Sequence, residues 1–164
     1  MSSIYLLLGA NLEDRFHQLS NAFHKIEEKI GSVIKYSSIY ETAAWGKEDE
    51  PSYLNQVLCV STNLAPHELL KTIHEIENSL GRTRQLRWES RLIDIDILFY
   101  NELIINDLGL IIPHPYLHKR KFTLVPLAEI APEYTHPVLL KSIQQLLVEL
   151  ADPLMVNKLS EEGQ

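Results

Sequence analysis

The sequence predicts an α+β sandwich in which helices pack on a mostly antiparallel sheet. Two stretches carry apolar residues at helical spacing, and each stops at a glycine, Gly31 or Gly81. Around them lie short apolar runs with strand-like alternation, in the order strand–helix–strand–strand–helix–strand. The strongest of these runs ends in Ile93, Asp94, Ile95, Asp96, Ile97, Leu98, Phe99 and Tyr100, which reads as a strand with one greasy face.

Residues 4–8 form a short buried strand that ends at Gly9. Asn11 can cap the helix after it, whose stripe is Leu12, Phe16, Leu19, Phe23, Ile26 and Ile30. Residues 32–40 alternate as a strand, and 41–52 read as a charged loop with Gly46 and Pro51. Residues 53–62 are the next strand, with Tyr53, Asn55, Val57 and Cys59 on one face. Pro66 opens a second helix with the stripe Leu69, Leu70, Ile73, Ile76 and Leu80. On the strand that follows, Asp94 and Asp96 share a face with Leu92 and Leu98, and Ile93, Ile95, Ile97 and Phe99 share the other. Asn101-Glu102 suggests a turn that makes a hairpin of residues 91–106. Residues 107–121 read as irregular, and the apolar run 122–130 is broken by Pro126. Residues 138–150 suggest a last amphipathic helix, and a frayed tail is expected after Pro153. This order is ferredoxin-like with additions, and it places the helices on one sheet face, leaving the other open to a ligand.

At 164 residues the chain can bury the core of one domain. Its net charge of −7 argues against general nucleic-acid binding, which depends on neutralising phosphates. The one cysteine, Cys59, has no partner for a disulfide within the chain, and core packing is its expected role. Met1-Ser2-Ser3 leads straight into a strand-like run, and no apolar stretch approaches membrane-spanning length. A cytoplasmic protein without a membrane partner is expected.

Four of the six arginines, Arg82, Arg84, Arg87 and Arg91, lie just before the aspartate strand. Asp94 and Asp96 would sit roughly 7 Å apart on one face, at about 3.3 Å per residue. Each carboxylate would raise the other's pKa, and a hard cation such as Mg2+ between them relieves that. Arginines suit phosphate, which they bind bidentately. Either feature alone is more often a solvated surface; side by side they favour a phosphate–metal site. No G-x4-G-K-S/T loop or G-x-G-x-x-G turn is present, so side chains would have to hold a nucleotide. His114, between Pro113 and Pro115, is a rigidly aimed histidine, and Trp88 stands out among the arginines.

With these residues in view, the chain resembles the 6-hydroxymethyl-7,8-dihydropterin pyrophosphokinases of folate biosynthesis. The likeness runs from residues 8–12 to Ala131-Pro132. Its most specific part is R-W-x-x-R-x-x-D-x-D-x-L at residues 87–98, supported by Tyr53-Leu54-Asn55, Gly81-Arg82-x-Arg84 and Pro113-His114-Pro115. The resemblance implies a three-layer α+β sandwich with a ferredoxin-like, mostly antiparallel core, in a monomer. It implies ATP and 6-hydroxymethyl-7,8-dihydropterin as substrates, with AMP released. By family position Asp94 and Asp96 hold two Mg2+ ions, and Arg82 and Arg91 neutralise the transferred group. Arg84, His114 and Arg120 grip phosphates, Glu77 and Ile97 place the nucleotide, and Trp88 closes over the site. Tyr53 and Phe122 sandwich the pterin, and Asn55 and Thr42 meet its polar edge. Glu89-Ser90, His74 and Ala43-Ala44 depart from the family pattern. Two other classes remain open: a ferredoxin-like nucleic-acid or nucleotide-binding module, and an Mg-dependent phosphohydrolase.

Overall fold

The computed structural model describes residues 1–10, 14–42, 53–81 and 93–159. The elements are β1 (Ser2–Ala10), α1 (Arg15–Lys29), β2 (Gly31–Tyr36), β3 (Tyr40–Thr42), β4 (Tyr53–Thr62) and α2 (Pro66–Ser79). Then come β5 (Asp94–Tyr100), β6 (Ile105–Asp107), β7 (Leu110–Ile112), a 3-10 turn at Leu117–Lys119, α3 (Lys121–Ile130), α4 (Ile143–Glu149) and β8 (Val156–Lys158). The main sheet runs β5-β1-β4-β3-β8, with β2 also paired to β4, and its pairings are antiparallel.

Helices cover both faces of this sheet, giving three layers. On one side Leu19 and Ile26 of α1 and Leu69, Ile73 and Ile76 of α2 pack on Ile4, Leu6 and Leu8 of β1 and Leu54, Leu58 and Val60 of β4. On the other side Leu124 and Leu127 of α3 and Ile143 and Leu146 of α4 pack on Leu7, Val57, Leu98 and Phe99. The one-faced arrangement read from element order alone is therefore corrected; the three-layer expectation from the family holds. What periodicity missed is α3. Pro126 sits inside it and cannot donate to the Phe122 carbonyl, yet burial of Leu124 and Leu127 outweighs that loss.

Four other expectations change. The strand expected at 32–40 is two strands, because Ser37 interrupts it: its hydroxyl accepts from Val57 N at 2.9 Å, and Gln56 Nε2 donates to its carbonyl at 2.9 Å. Gly31 begins β2 rather than ending α1 as a cap. A Cβ there would lie 1.9 Å from the Ser61 carbonyl oxygen, so no other residue permits this close approach. The hairpin expected at 91–106 is instead β6–β7, turned at Leu108 (φ 39°) and Gly109 (φ 81°), the left-handed pair that a tight hairpin turn needs. Within the expected frayed tail, residues 156–158 form β8, with Thr42 opposite Val156 and Tyr40 opposite Lys158. Leu12 and the proposed Asn11 cap lie outside the described residues, and among these no helix is long and apolar enough to cross a membrane.

The last helix is also shorter than the expected 138–150. His136 claims the preceding stretch: its Nδ1 accepts from Val138 N and Leu139 N, both at 3.1 Å, and Ser142 then caps α4. Burial, with the neighbouring His118, lowers the His136 pKa from 6.5 to about 4. Because the folded-state value lies below the unfolded one, this contribution to stability is complete above pH 6.5 and is lost as pH falls toward 4. We expect urea titrations to show stability falling as pH drops across that window. His136→Asn, whose Oδ1 can accept the same two N–H groups without titrating, should flatten the profile. An unchanged pH dependence in that variant would contradict this assignment.

Candidate active site

β5 positions the aspartates. It pairs with β1 so that Asp94 opposes Gly9 and Asp96 opposes Leu7, and both carboxylates emerge half-buried on the α3 side of the sheet. Farther along, β5 carries a bulge: Tyr5 pairs with Phe99 but Leu6 pairs with Ile97, so Leu98 is an extra residue. Ile93, Ile95 and Ile97 point into the α1/α2 core as expected, whereas Phe99 lies with Leu98 in the opposite core. The parity of the aspartates, upstream of the bulge, is as read from the sequence.

The aspartates form the shared wall of two cavities. The first, about 240 Å³, is lined by Leu7, Gly9, Thr42, Tyr53, Asn55, Asp94, Asp96, Arg120, Phe122 and Leu154. The second, about 280 Å³, includes His74, Glu77, Asp94, Ile95, Asp96, Ile97, Gly109, Leu110 and His114. Of the residues singled out by sequence, Thr42, Tyr53, Asn55, Arg120 and Phe122 thus meet in one cavity, and Glu77, Ile97 and His114 in the other. Arg82, Arg84, Arg87, Trp88 and Arg91 lie outside the described residues, as do Trp45, Ala43-Ala44 and Glu89-Ser90.

Each wall has a local cause. Thr42 and Tyr53 are direct neighbours across the β3–β4 pair, and Tyr40 opposes Asn55. Gly9 opposes both Asn55 and Asp94, and a Cβ there would come within 3.1 Å of Asn55 Nδ2. Glycine therefore lets the Asn55 amide reach across β1 to donate to the Leu8 carbonyl at 3.2 Å. Thr42 is 4% exposed, and its hydroxyl has no hydrogen-bond partner among the described residues. A buried hydroxyl in that state is expensive. Arg120, the residue before α3, holds its guanidinium 5.3 Å from the Tyr116 ring and 5.7 Å from the Phe122 ring.

In the second cavity Glu77 is 2% exposed and accepts from Ile95 N at 2.8 Å, between the two aspartates in sequence. It ties α2 to β5 as well as lining the cavity. His114 N donates to the Leu98 carbonyl at 3.1 Å, and Tyr116 N donates to His114 Nδ1 at 3.1 Å, which leaves Nε2 as the protonated nitrogen of the neutral ring. Burial lowers the His114 pKa; the Asp96 charge opposes that and Arg120 adds to it. Sequence reasoning missed Gly9, Leu7 and Leu154. Gly9 carried a usable signal, a glycine at the end of an otherwise apolar strand. Leu154 carried none, because its place follows from the pairing of β8.

Known proteins resemble this chain in sequence and in fold. The model of the 7,8-dihydro-6-hydroxymethylpterin-pyrophosphokinase family matches residues 5–132. A 2-amino-4-hydroxy-6-hydroxymethyldihydropteridine pyrophosphokinase of Aquifex aeolicus is 41% identical over 149 residues, 91% of this chain and 92% of that protein. One of Bacillus subtilis is 45% identical over 77% of this chain and 76% of its own length. Among solved structures, an HPPK-DHPS chain of Plasmodium falciparum, wild type with pterin and p-hydroxybenzoate, superposes with a TM-score of 0.76 at 22% identity. That likeness covers 90% of this chain but 43% of the Plasmodium one, and at such identity it shows the fold alone. On the family match and these relatives, the chain belongs to the 7,8-dihydro-6-hydroxymethylpterin-pyrophosphokinase family.

Proposed function

We propose that the protein transfers the β,γ-pyrophosphoryl group of ATP to the hydroxymethyl oxygen of 6-hydroxymethyl-7,8-dihydropterin, releasing AMP. The observation that carries this reading is the aspartate pair on the shared wall of two cavities, one with aromatic rings and amide and hydroxyl groups, the other beside Glu77 and His114. Tyr53 and Phe122 supply faces for a flat heterocycle, and Thr42 and Asn55 supply its polar partners. Nucleotide occupies the second cavity, with its phosphates directed at the aspartates. His114 Nε2–H donates to a phosphate oxygen, Arg120 reaches the phosphates from the pterin side, and Ile97 and Glu77 flank the nucleotide. Arg82, Arg84, Arg91 and Trp88 are assigned to the phosphates and to closure by their place in the sequence.

Asp94 and Asp96 fit Mg2+, a hard cation that takes one or two carboxylates and keeps positions for phosphate and water. Among the described residues no group of three or more His, Cys, Asp or Glu could hold a metal ion. Mg2+ held by Asp94 and Asp96 would supply charge stabilisation for the phosphates and lower the pKa of the attacking hydroxyl. We read residues 1–164 as one pyrophosphokinase domain, a cytoplasmic monomer without nucleic-acid or membrane partners. The net charge of −7 supports the exclusion of nucleic acid.

Thr42→Val tests the pterin side. Valine keeps the shape and removes the unpartnered hydroxyl, so the ligand-free protein should be as stable as before or more so. Pterin affinity should fall about tenfold, the worth of one hydrogen bond, while affinity for a non-hydrolysable ATP analogue stays put. Calorimetric titration reads both. Equal pterin affinity in the folded variant would remove Thr42 from the site.

A further inference from the structure

We propose that the C-terminal segment, residues 152–158, is a specificity-determining wall of the pterin cavity, with Leu154 touching the ligand and Asp152 positioning it. The inference rests on the pterin reading of that cavity. The family match ends at residue 132, so nothing in it assigns a role to this segment.

The segment reaches the cavity through β8. Val156 pairs with Thr42, itself a cavity residue, so the two residues before it carry Leu154 past the end of β3 to the cavity wall. Burial alternates along the tail: residues 152, 154 and 156 are half-buried, and 153, 155 and 157 are exposed, with Met155 at 67%. That period of two sets Leu154 on the same side as Val156. Asp152 then fixes it from the other end. Its Oδ1 accepts from Leu154 N at 2.9 Å, and its Oδ2 accepts from Lys121 N at 3.4 Å, at the start of α3. Arg120 and Phe122, on either side of Lys121, line the same cavity. One carboxylate thus links the tail to the helix start that presents the aromatic face.

The far end of α3 is clamped to the same strands. Glu129 accepts from Ser38 N at 3.0 Å, Ser38 Oγ at 2.9 Å and the Tyr40 hydroxyl at 2.7 Å. Burial pushes the Glu129 carboxyl up, but the Tyr40 and Ser38 donors and the Lys158 charge hold it below its ordinary value. Lys158 pairs with Tyr40 across β3 and β8. So α3, β3 and β8 form one frame, tied at both ends, with Leu154 on its inner edge. Leu154 is aliphatic and offers no hydrogen bond. It packs on the apolar part of a pterin ring and limits the bulk of any substituent there.

The test uses the full chain and calorimetric titration with 6-hydroxymethylpterin and, separately, a non-hydrolysable Mg-ATP analogue. Leu154→Ala should weaken pterin binding about tenfold, from the lost apolar contact, with nucleotide affinity within about twofold of wild type. Leu154→Trp should abolish measurable pterin binding by filling the cavity, and Leu154→Met should restore near-normal affinity. Asp152→Ala should reproduce the Leu154→Ala pattern, and Asp152→Asn, whose Oδ1 still accepts from Leu154 N, should recover most of it. A thermal midpoint in each variant confirms folding, and because Leu154 is half-buried its three substitutions leave the core intact. Pterin affinity equal to wild type in both Leu154→Ala and Leu154→Trp overturns the proposal and leaves the pterin reading standing. A wild-type protein that binds no pterin overturns both.

Discussion

Asp94→Asn and Asp96→Asn should each give a folded protein that turns over about 10³-fold more slowly. The amide keeps the size of the carboxylate and removes the charge that a Mg2+ ion requires. Losing several kcal/mol of charge stabilisation corresponds to that factor, at about 1.4 kcal/mol per decade. Folding should survive, because the packing of β5 on α1 and α2 comes from Ile93, Ile95 and Ile97, which the substitutions do not touch. Glu77 would still hold Ile95 N. Turnover, a thermal midpoint and the Mg2+ concentration for half-activation decide the matter. Both variants should need more Mg2+ than wild type. A folded variant that keeps a tenth or more of its activity would remove that aspartate from the metal site.

Arg82→Ala and Arg91→Ala should lower turnover by about 10²- to 10³-fold, the cost of removing one preorganised charge stabiliser. Both arginines lie in the segment that connects α2 to β5. Glu77 near the end of α2 and Asp94 at the start of β5 both line the second cavity. Contacts that strengthen only as charge develops in transfer change kcat and leave ground-state binding nearly alone. Affinity for the ATP analogue should therefore move less than tenfold. Arg87→Ala is the comparison expected to be mildest. Unchanged turnover with weakened nucleotide binding would make Arg82 and Arg91 anchors instead.

The sequence made the site legible wherever side-chain parity decides position. β4 spans residues 53–62 as its alternation predicts, so Tyr53 and Asn55 fall on the cavity side. Asp94 and Asp96 do the same on β5. Parity failed beyond Ile97, because the bulge inserts a residue and sends Phe99 to the other core. A bulge is a property of the pair of strands, and one strand's sequence does not announce it. The layer formed by α3 was hidden for a related reason. Its hydrophobic run has no helical stripe to read and contains Pro126, so only burial against β1, β4 and β5 reveals it as a helix. Ser37 and His136 mark a third kind of miss, where a side chain substitutes for backbone partners and shortens a regular element, splitting a strand at Ser37 and delaying the start of α4 after His136. β8 is a fourth: the pattern around Val156 is too short to read as a strand, and it exists because β3 offers it an edge. Leu154 joins the cavity only through that long-range pairing.

The most direct test of the proposed transfer is the identity of the nucleotide product. Incubated with Mg-ATP and 6-hydroxymethyl-7,8-dihydropterin, the protein should form AMP in step with a pterin diphosphate, and no AMP when the pterin is left out. Attack of the pterin oxygen on the β-phosphorus, with AMP leaving, requires that oxygen and the phosphates to meet at the wall that Asp94 and Asp96 share between the two cavities. A hydrolase acting through the same aspartates would break down ATP with or without pterin, and a nucleotide-binding module would leave it intact. ADP as the coupled product, or nucleotide breakdown that does not depend on the pterin, would contradict the account.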